Sequence, residues 1–238
     1  MVAKTAATTE FNLDLNAIVE EAFERCGAEL RSGYDLRTAR RSLNLLLLDW
    51  ANRGVNLWTI EQGSIPLVSG TATYDLPVDT VDLLDHVVRT GTGSNQVDIN
   101  ISRISVSTYA TIPNKTATGR PIQVWVNRKT GATNSASVVQ NPQITVWPTP
   151  DTSTPYTFYY WRLRRMQDAG NGVNGQDIPF RMLPALVAGL AYMLAMKLPN
   201  AGERLGMLKA DYDEQWQRAS EEDREKAPVR FVPRQMFW

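Results

Sequence analysis

The residues best suited to acid–base chemistry are the single histidine and three nearby aspartates. His86 follows Asp85 directly and Asp82 by four positions, and Asp79 precedes both. An imidazole held by a carboxylate is the base of a Ser-His-Asp site, and a pair of carboxylates can act as general acid and base. The surrounding residues alternate as in a β-strand, which predicts that His86 lies on the polar face of a half-buried strand. We therefore interpret the histidine as structural and the aspartates as turn and surface groups.

Cofactor and metal sites are not indicated. The segment 170–175 matches the dinucleotide fingerprint G-x-G-x-x-G, but the strands before it have an antiparallel pattern and no ribose-binding acid follows. We interpret this segment as a flexible crossing between domains. One cysteine, Cys26, and one histidine exclude an intramolecular disulfide and a zinc site of several Cys and His ligands. We expect no cofactor, no metal, no catalytic residue and hence no enzyme.

The charges do not favour a dedicated DNA-binding protein. Lys and Arg number 25 and Asp and Glu number 25, so the formal net charge is zero. A local exception is the cluster Arg162, Arg164 and Arg165, which flanks the aromatic run from Phe158 to Trp161. Such a mixture can contact a nucleic-acid backbone. We favour ion pairing between subunits or domains for these arginines, with contact to DNA as the alternative.

The C-terminal tail is unusually apolar for a chain end. Residues 227–238 follow a charged segment, and a free end normally frays into water. The tail could fold back onto its own domain, but we favour the alternative that its aromatic and basic side chains bind a neighbouring protein. The predicted partner-binding residues are Arg230, Phe231, Val232, Arg234, Met236, Phe237 and Trp238.

Helical periodicity predicts two helices near the N-terminus. Apolar residues recur at three- and four-residue intervals from Leu15 to Cys26, with Asn12 or Asp14 as the N-cap and Gly27 after the last apolar position. A second stripe runs from Leu36 to Trp50, after a break at Ser32–Gly33 and before a stop at Gly54. The short turn between them predicts an antiparallel pair.

The middle of the chain is predicted to be an antiparallel β region. From Leu57 to Leu163 the apolar period drops towards two, and turn residues recur between aromatic and β-branched segments. A short helix is predicted near residues 105–111. The predicted strands are Trp58–Leu67, Thr71–Leu76, Leu83–Arg89, Val97–Ile101, Ile122–Asn127, Gln143–Trp147 and Tyr156–Leu163.

Two further helices are predicted after the β region. Residues 180–198 form an apolar helix with Asp177 as its cap, and the uncharged run from Met182 to Met196 is too short to span a bilayer. A charged helix follows over residues 203–226. The predicted class is α+β, with an antiparallel β domain inserted into a helical module built from both ends of the chain. The predicted organisation is a mobile arm (1–11), a first helical part (12–56), the β domain (57–165), a second helical part (166–226) and a docking tail (227–238).

One stretch carries a resemblance to a known family. The segment from Ser42 to Trp50, then Leu57-Trp58, Ile65–Leu67, Gly70 and the Tyr74–Pro77 segment, resembles the head-to-tail adaptor proteins of tailed bacteriophages, also called connector, head-completion or packaged-DNA-stabilising proteins. The motif is a Leu-Asn-x-x-Leu-x-x-Trp helix, a Leu-Trp strand and a Gly-x-x-x-Tyr-x-Leu hairpin. The aromatic strand at Thr157–Trp161 and the apolar helix after Pro179 extend the likeness more loosely.

The resemblance implies a structural role in the virion. It implies a ring of twelve copies below the portal protein, formed after the genome is packaged, that extends the DNA channel and offers a platform to the nozzle or tube of the tail. The arginine cluster would then face a neighbouring subunit or passing DNA. The protein is expected at the head–tail junction, after assembly in the host cytoplasm and without a membrane. The resemblance also makes a peptidoglycan hydrolase the first alternative, although no lysozyme-like acid pair is present. The second is a module that binds host glycan or a tail fibre, which exposed aromatic residues such as Trp125 or Trp147 would favour.

Overall fold

The computed structural model of the protein describes residues 13–54, 57–129, 140–170 and 175–223. The predicted N-terminal arm, the end of the last predicted helix, the docking tail and residues 171–174 of the glycine-rich crossing lie outside these residues. The described chain divides into two compact units. The helical unit contains the residues before Thr59 and from Met166 onward, and the β unit is Thr59–Arg165. This arrangement of terminal helices around an inserted β region confirms the predicted α+β class.

The secondary-structure elements are numbered in chain order. The helices are α1 (Leu15–Cys26), α2 (Gly33–Arg53), α3 (Val106–Ala110), α4 (Leu183–Ala195) and α5 (Leu205–Glu222). The strands are β1 (Ile60–Leu67), β2 (Thr73–Asp75), β3 (Thr80–Thr90), β4 (Val97–Asn100), β5 (Ser102–Ile104), β6 (Thr118–Gly119), β7 (Gln123–Asn127), β8 (Gln143–Trp147), β9 (Thr149–Pro150) and β10 (Tyr156–Arg164). Short 3-10 turns precede β1, β4, α4 and α5.

The first two helices begin and end at the residues that their sequences indicate. Asp14 caps α1 by accepting a hydrogen bond from the backbone N–H of Ala17 at 2.8 Å, which decides between the two predicted caps. Ser32 and Asp35 form a reciprocal capping box at the start of α2. Gly27 ends α1 in the left-handed region at φ 74°, where a side chain would be strained.

The core of the helical unit is built around α4. Nearly all of this helix is buried, and α1, α2 and α5 pack against it. Gly189 permits the close approach, because a Cβ at this position would lie 2.8 Å from both Leu46 of α2 and Tyr212 of α5. The helices α1 and α2 contact α4 more extensively than they contact each other. The predicted α1–α2 pair is therefore part of a larger bundle centred on α4.

The start of α4 differs from the prediction. The helix begins at Leu183 after a 3-10 turn, and Asp177 does not occupy its N-cap position. The Asp177 carboxylate instead accepts a hydrogen bond from the backbone N–H of Gln167 at 3.0 Å. Within the described residues, no helix is both long enough and apolar enough to cross a membrane.

The β unit contains two four-stranded sheets that contribute to one buried cluster. The first has the order β1-β10-β3-β4 and is antiparallel throughout, and the second has the order β2-β8-β7-β5. Phe158 of the first sheet and Ile144 and Val124 of the second are fully buried in the shared core. Two pairings are parallel, β5 with β7 and β6 with β9, which the antiparallel prediction did not include. Each pair includes at least one strand of only two or three residues, β5 in the first and both β6 and β9 in the second, too short to leave an alternating pattern in the sequence.

Candidate functional site

His86 faces the core of the β unit, so its predicted placement on a polar strand face is wrong. Its side chain is 7% exposed and stacks on Phe158 with the ring centroids 5.7 Å apart. The cause is a β-bulge: Trp161 of β10 pairs with Asp85, while the next residue, Arg162, pairs with Leu83. Leu84 is the extra residue, and it reverses the alternation so that Leu84 itself is exposed and His86 points inward.

The surroundings of His86 fit a structural role better than catalysis. Neither ring nitrogen makes a hydrogen bond of normal geometry within the described residues. Burial lowers the pKa of His86, and it outweighs the opposing charge of Asp85. A histidine base needs a partner that orients its ring and a route for its proton. Among the described residues, His86 makes no orienting hydrogen bond of normal geometry, and burial favours its neutral form beside Phe158.

The lowered pKa of His86 predicts a pH-dependent stability. The unfolded chain takes up a proton near the ordinary histidine pKa of about 6.5, whereas the folded chain resists it. The contribution of neutral His86 to the free energy of unfolding is therefore fully present above that pH. It is lost as the pH falls from there towards the pKa of His86 in the folded chain, by at most about 1.4 kcal/mol per pH unit. Urea unfolding of the intact chain at pH 7.5, 6 and 5 measures this loss. The substitution His86→Leu should flatten it, and an equal loss in both proteins would exclude His86 as its source.

The three aspartates near His86 all have partners inside the β unit. The hydrogen bond from Arg162 holds the pKa of Asp79 below its ordinary value. Asp82 accepts a hydrogen bond from Arg103 at 2.8 Å, and Asp85 accepts one from the backbone N–H of His86 at 2.8 Å. No group of three or more potential metal ligands occurs among the residues that the structure describes. The sequence predicted turn and surface groups, but Asp82 and Asp85 lie within β3, and Asp79 and Asp82 are held in ion pairs.

The predicted arginine cluster lies at the end of β10, and two of its members are paired within the β unit. Arg162 donates to Glu61 at 2.7 Å and also pairs with Asp79, and its side chain is 12% exposed. Arg164 donates to the second oxygen of Glu61 at 2.8 Å. Arg165 is exposed, and its backbone N–H binds the carbonyl of Asp79. The pairing fixes β10 to β1 and to the start of β3, and it leaves Arg165 as the cluster member whose side chain faces solvent.

The tryptophans considered for glycan binding are half-buried rather than exposed. Trp125 stacks on Tyr109 with the ring centroids 5.3 Å apart. Trp147 donates its indole N–H to the carbonyl of Asn114 at 2.9 Å. Their rings therefore pack against neighbouring segments of the β unit. The predicted docking residues Arg230, Phe231, Val232, Arg234, Met236, Phe237 and Trp238 lie outside the described residues.

The helical unit carries an acidic groove that the sequence analysis did not identify. We name it the α1–α4 groove: it has a volume of about 720 Å³ and lies between the outer side of α1 and the start of α4. Glu20 and Glu24 line it and make no ion pair within the described chain. Its apolar lining includes Leu13 and Phe180, which are 39% and 64% exposed. Apolar side chains framed by unpaired acids form a surface suited to a basic, apolar partner.

A second surface runs along the outside of α2. We name it the outer α2 face, defined by Tyr34, Arg37, Arg41, Leu45 and Leu48, which recur at three- and four-residue intervals and are all exposed. Leu45 and Leu48 are 59% and 56% exposed, whereas their neighbours Leu46 and Leu47 are buried. The sequence signal for this exposed face is the uninterrupted run of four leucines from Leu45 to Leu48. One face of a helix cannot bury four consecutive residues, so some of them must be exposed.

A comparison with protein families finds a match over most of the chain. The family model for the SU10 adaptor protein matches residues 13–232. The chain therefore belongs to the SU10 adaptor protein family, and its class is that of a bacteriophage structural adaptor. No curated protein matches the chain.

Proposed function

We propose that this adaptor is a virion protein whose copies form a ring beneath the portal, join the capsid to the tail and extend the DNA channel. The observation that carries the proposal is the family match, which includes both the helical and the β unit. Two exposed surfaces of the helical unit, the α1–α4 groove and the outer α2 face, support it. A ring needs two different surfaces on each copy, one for each neighbour, and a closed set of such contacts gives cyclic symmetry. We expect twelve copies, the number that the resemblance implies.

The charge distribution supports a role beside DNA without tight binding to it. The chain has 25 basic and 25 acidic residues, and a channel wall must let the genome slide past. We propose Arg162, Arg164 and Arg165 as contacts to a neighbouring subunit or to DNA. Arg165 would make such a contact directly. Arg162 and Arg164 are held by Glu61 and Asp79, and these ion pairs would fix the end of β10 next to Arg165.

We also propose that the protein performs no chemistry. The buried, unoriented ring of His86 and the paired aspartates support this, since neither provides a positioned base. The protein would be made in the host cytoplasm and end at the head–tail junction of the virion, with the portal and a tail protein as its partners.

The C-terminal tail is proposed as the anchor on the portal. Its two arginines and four large apolar side chains are of the kinds that dominate protein interfaces. Each tail contributes modestly, but copies linked in one ring bind with an avidity well above that of a single contact.

Deletion of residues 228–238 should weaken attachment to the purified portal by roughly a hundredfold, because every copy loses its anchor at once. The truncated chain should keep its fold, since the core members among the described residues all precede the deletion. A pull-down with purified portal, supported by circular dichroism of the free protein, measures both properties. A matched control keeps the length of the tail and replaces Phe231, Met236, Phe237 and Trp238 by serine, which should cause the same loss. Unchanged attachment of both variants would refute the tail as the anchor.

A further inference from the structure

We propose that the outer α2 face of one copy binds the α1–α4 groove of the next copy, with the two helices antiparallel. This inference rests on the proposed ring and identifies the surfaces that would close it. The two surfaces share no residue, so one copy can offer its groove to one neighbour and its α2 face to the other. That is the head-to-tail contact from which closed rings are built.

Charge complementarity identifies a second copy of this chain as the occupant. The groove presents Glu20 and Glu24, and the outer α2 face presents Arg37 and Arg41. Within the described chain none of these four side chains makes an ion pair. The two glutamates are four residues apart on α1, and the two arginines are four residues apart on α2, which is about 6 Å along a helix in each case. Two helices placed side by side can therefore join both arginines to both glutamates at once.

The apolar residues follow in the same register. On the groove side the order is Leu13, just before α1, then Ala17, Glu20 and Glu24 on the helix, while along α2 in the reverse direction it is Leu48, Leu45, Arg41 and Arg37. The helical part from Ala17 to Glu24 is about 10 Å long, and its counterpart from Leu45 to Arg37 is about 12 Å long. An antiparallel contact thus opposes leucine to leucine or alanine at one end and acid to base at the other. A parallel contact would instead place the arginines against the apolar end of the groove.

The contact would also cover exposed apolar surface. Leu45 and Leu48 on the α2 side and Leu13 and Phe180 on the groove side are all more than a third exposed. Exposed apolar residues concentrated on two faces are typical of protein–protein contacts. The charged pairs would set the register, and the apolar residues would supply the affinity.

Charge reversal tests the contact, with assembly of the full chain on purified portal as the readout. Reversing the groove with Glu20→Lys and Glu24→Lys, or the face with Arg37→Glu and Arg41→Glu, opposes like charges at every contact. We expect each one-sided variant to weaken self-association at least about tenfold. The variant with all four substitutions restores opposite charges and should assemble again. An equal mixture of the two one-sided variants should also assemble, by alternating around a ring with an even number of copies.

The control reverses two exposed acids elsewhere on the helical unit, with Glu203→Lys and Asp213→Lys, and should leave assembly unchanged. Native mass spectrometry counts the copies, and circular dichroism confirms that each variant is folded. Failure of the fourfold variant to assemble would overturn the contact, as would normal assembly of the one-sided variants. Rescue of the groove variant by reversing Arg230 and Arg234 would also overturn it, because the occupant would then be the C-terminal tail. If the unmodified chain itself forms no ring on the portal, the proposed function fails, which is a separate result.

Discussion

Replacement of Trp50 by alanine should destabilise the helical unit by about 3–5 kcal/mol, the range for removing a large aromatic side chain from a core. Trp50 is fully buried, and its ring lies 5.0 Å from that of Trp216 between α2 and α5. Its indole N–H donates to the hydroxyl of Tyr212 at 3.0 Å. The substitution therefore leaves a cavity and also removes the donor from a buried hydroxyl.

Urea unfolding followed by circular dichroism measures the effect. A matched control is Met207→Ala on α5, where the side chain is 64% exposed and the free energy of unfolding should change by less than about 0.5 kcal/mol. Because a domain of this size is stable by only about 5–15 kcal/mol, the Trp50 variant should unfold at clearly lower urea. If the two variants unfolded at the same urea concentration, the packing of α2 against α5 described above would be wrong.

The second large effect is expected at the ion pair between Arg181 and Asp223. The Asp223 side chain is completely buried and accepts a hydrogen bond from Arg181 at 2.6 Å and one from the backbone N–H of Leu57 at 3.3 Å. Replacement of Arg181 by alanine leaves a buried carboxylate without its cation. Breaking a fully buried pair costs about 3–5 kcal/mol, and because the Arg181 side chain is about a third exposed, we expect a loss near the lower end of that range. Together with the hydrogen bond from Leu57, the pair joins three distant parts of the sequence: the end of α5, the turn before α4 and the segment before β1.

A double-mutant comparison separates the loss of the pair from the loss of packing. The combined variant Arg181→Met with Asp223→Leu removes both charges and should be more stable than Arg181→Ala alone, since no buried charge is left without a partner. Thermal unfolding of the three proteins provides the comparison. A combined variant that is no more stable than Arg181→Ala would show that the carboxylate is not isolated from water.

Local signals in the sequence predicted most of the helical unit. Helix caps depend on a few neighbouring residues, so Asp14, Ser32 and Gly27 marked the helix ends without knowledge of the fold. The insertion of a β region between terminal helices was also predictable, because the period of the apolar residues changes from helical to alternating and back.

The features that escaped prediction depend on contacts between distant segments. The inward position of His86 results from the bulge at Leu84, which exists only because β10 pairs with β3 across some seventy intervening residues. The exposure of Leu45 and Leu48 is a different case, because the helical period of α2 already separates these two leucines from the buried Leu46 and Leu47. The α1–α4 groove joins residues from both ends of the chain, so no local pattern could indicate it.

If copies of this chain complete one another's apolar surface as a ring on the portal, electron microscopy of the full chain mixed with its purified portal should show it. We expect a closed ring of copies seated on one end of the portal around a central channel. Scattered single copies on the portal, or a bare portal, would refute the ring.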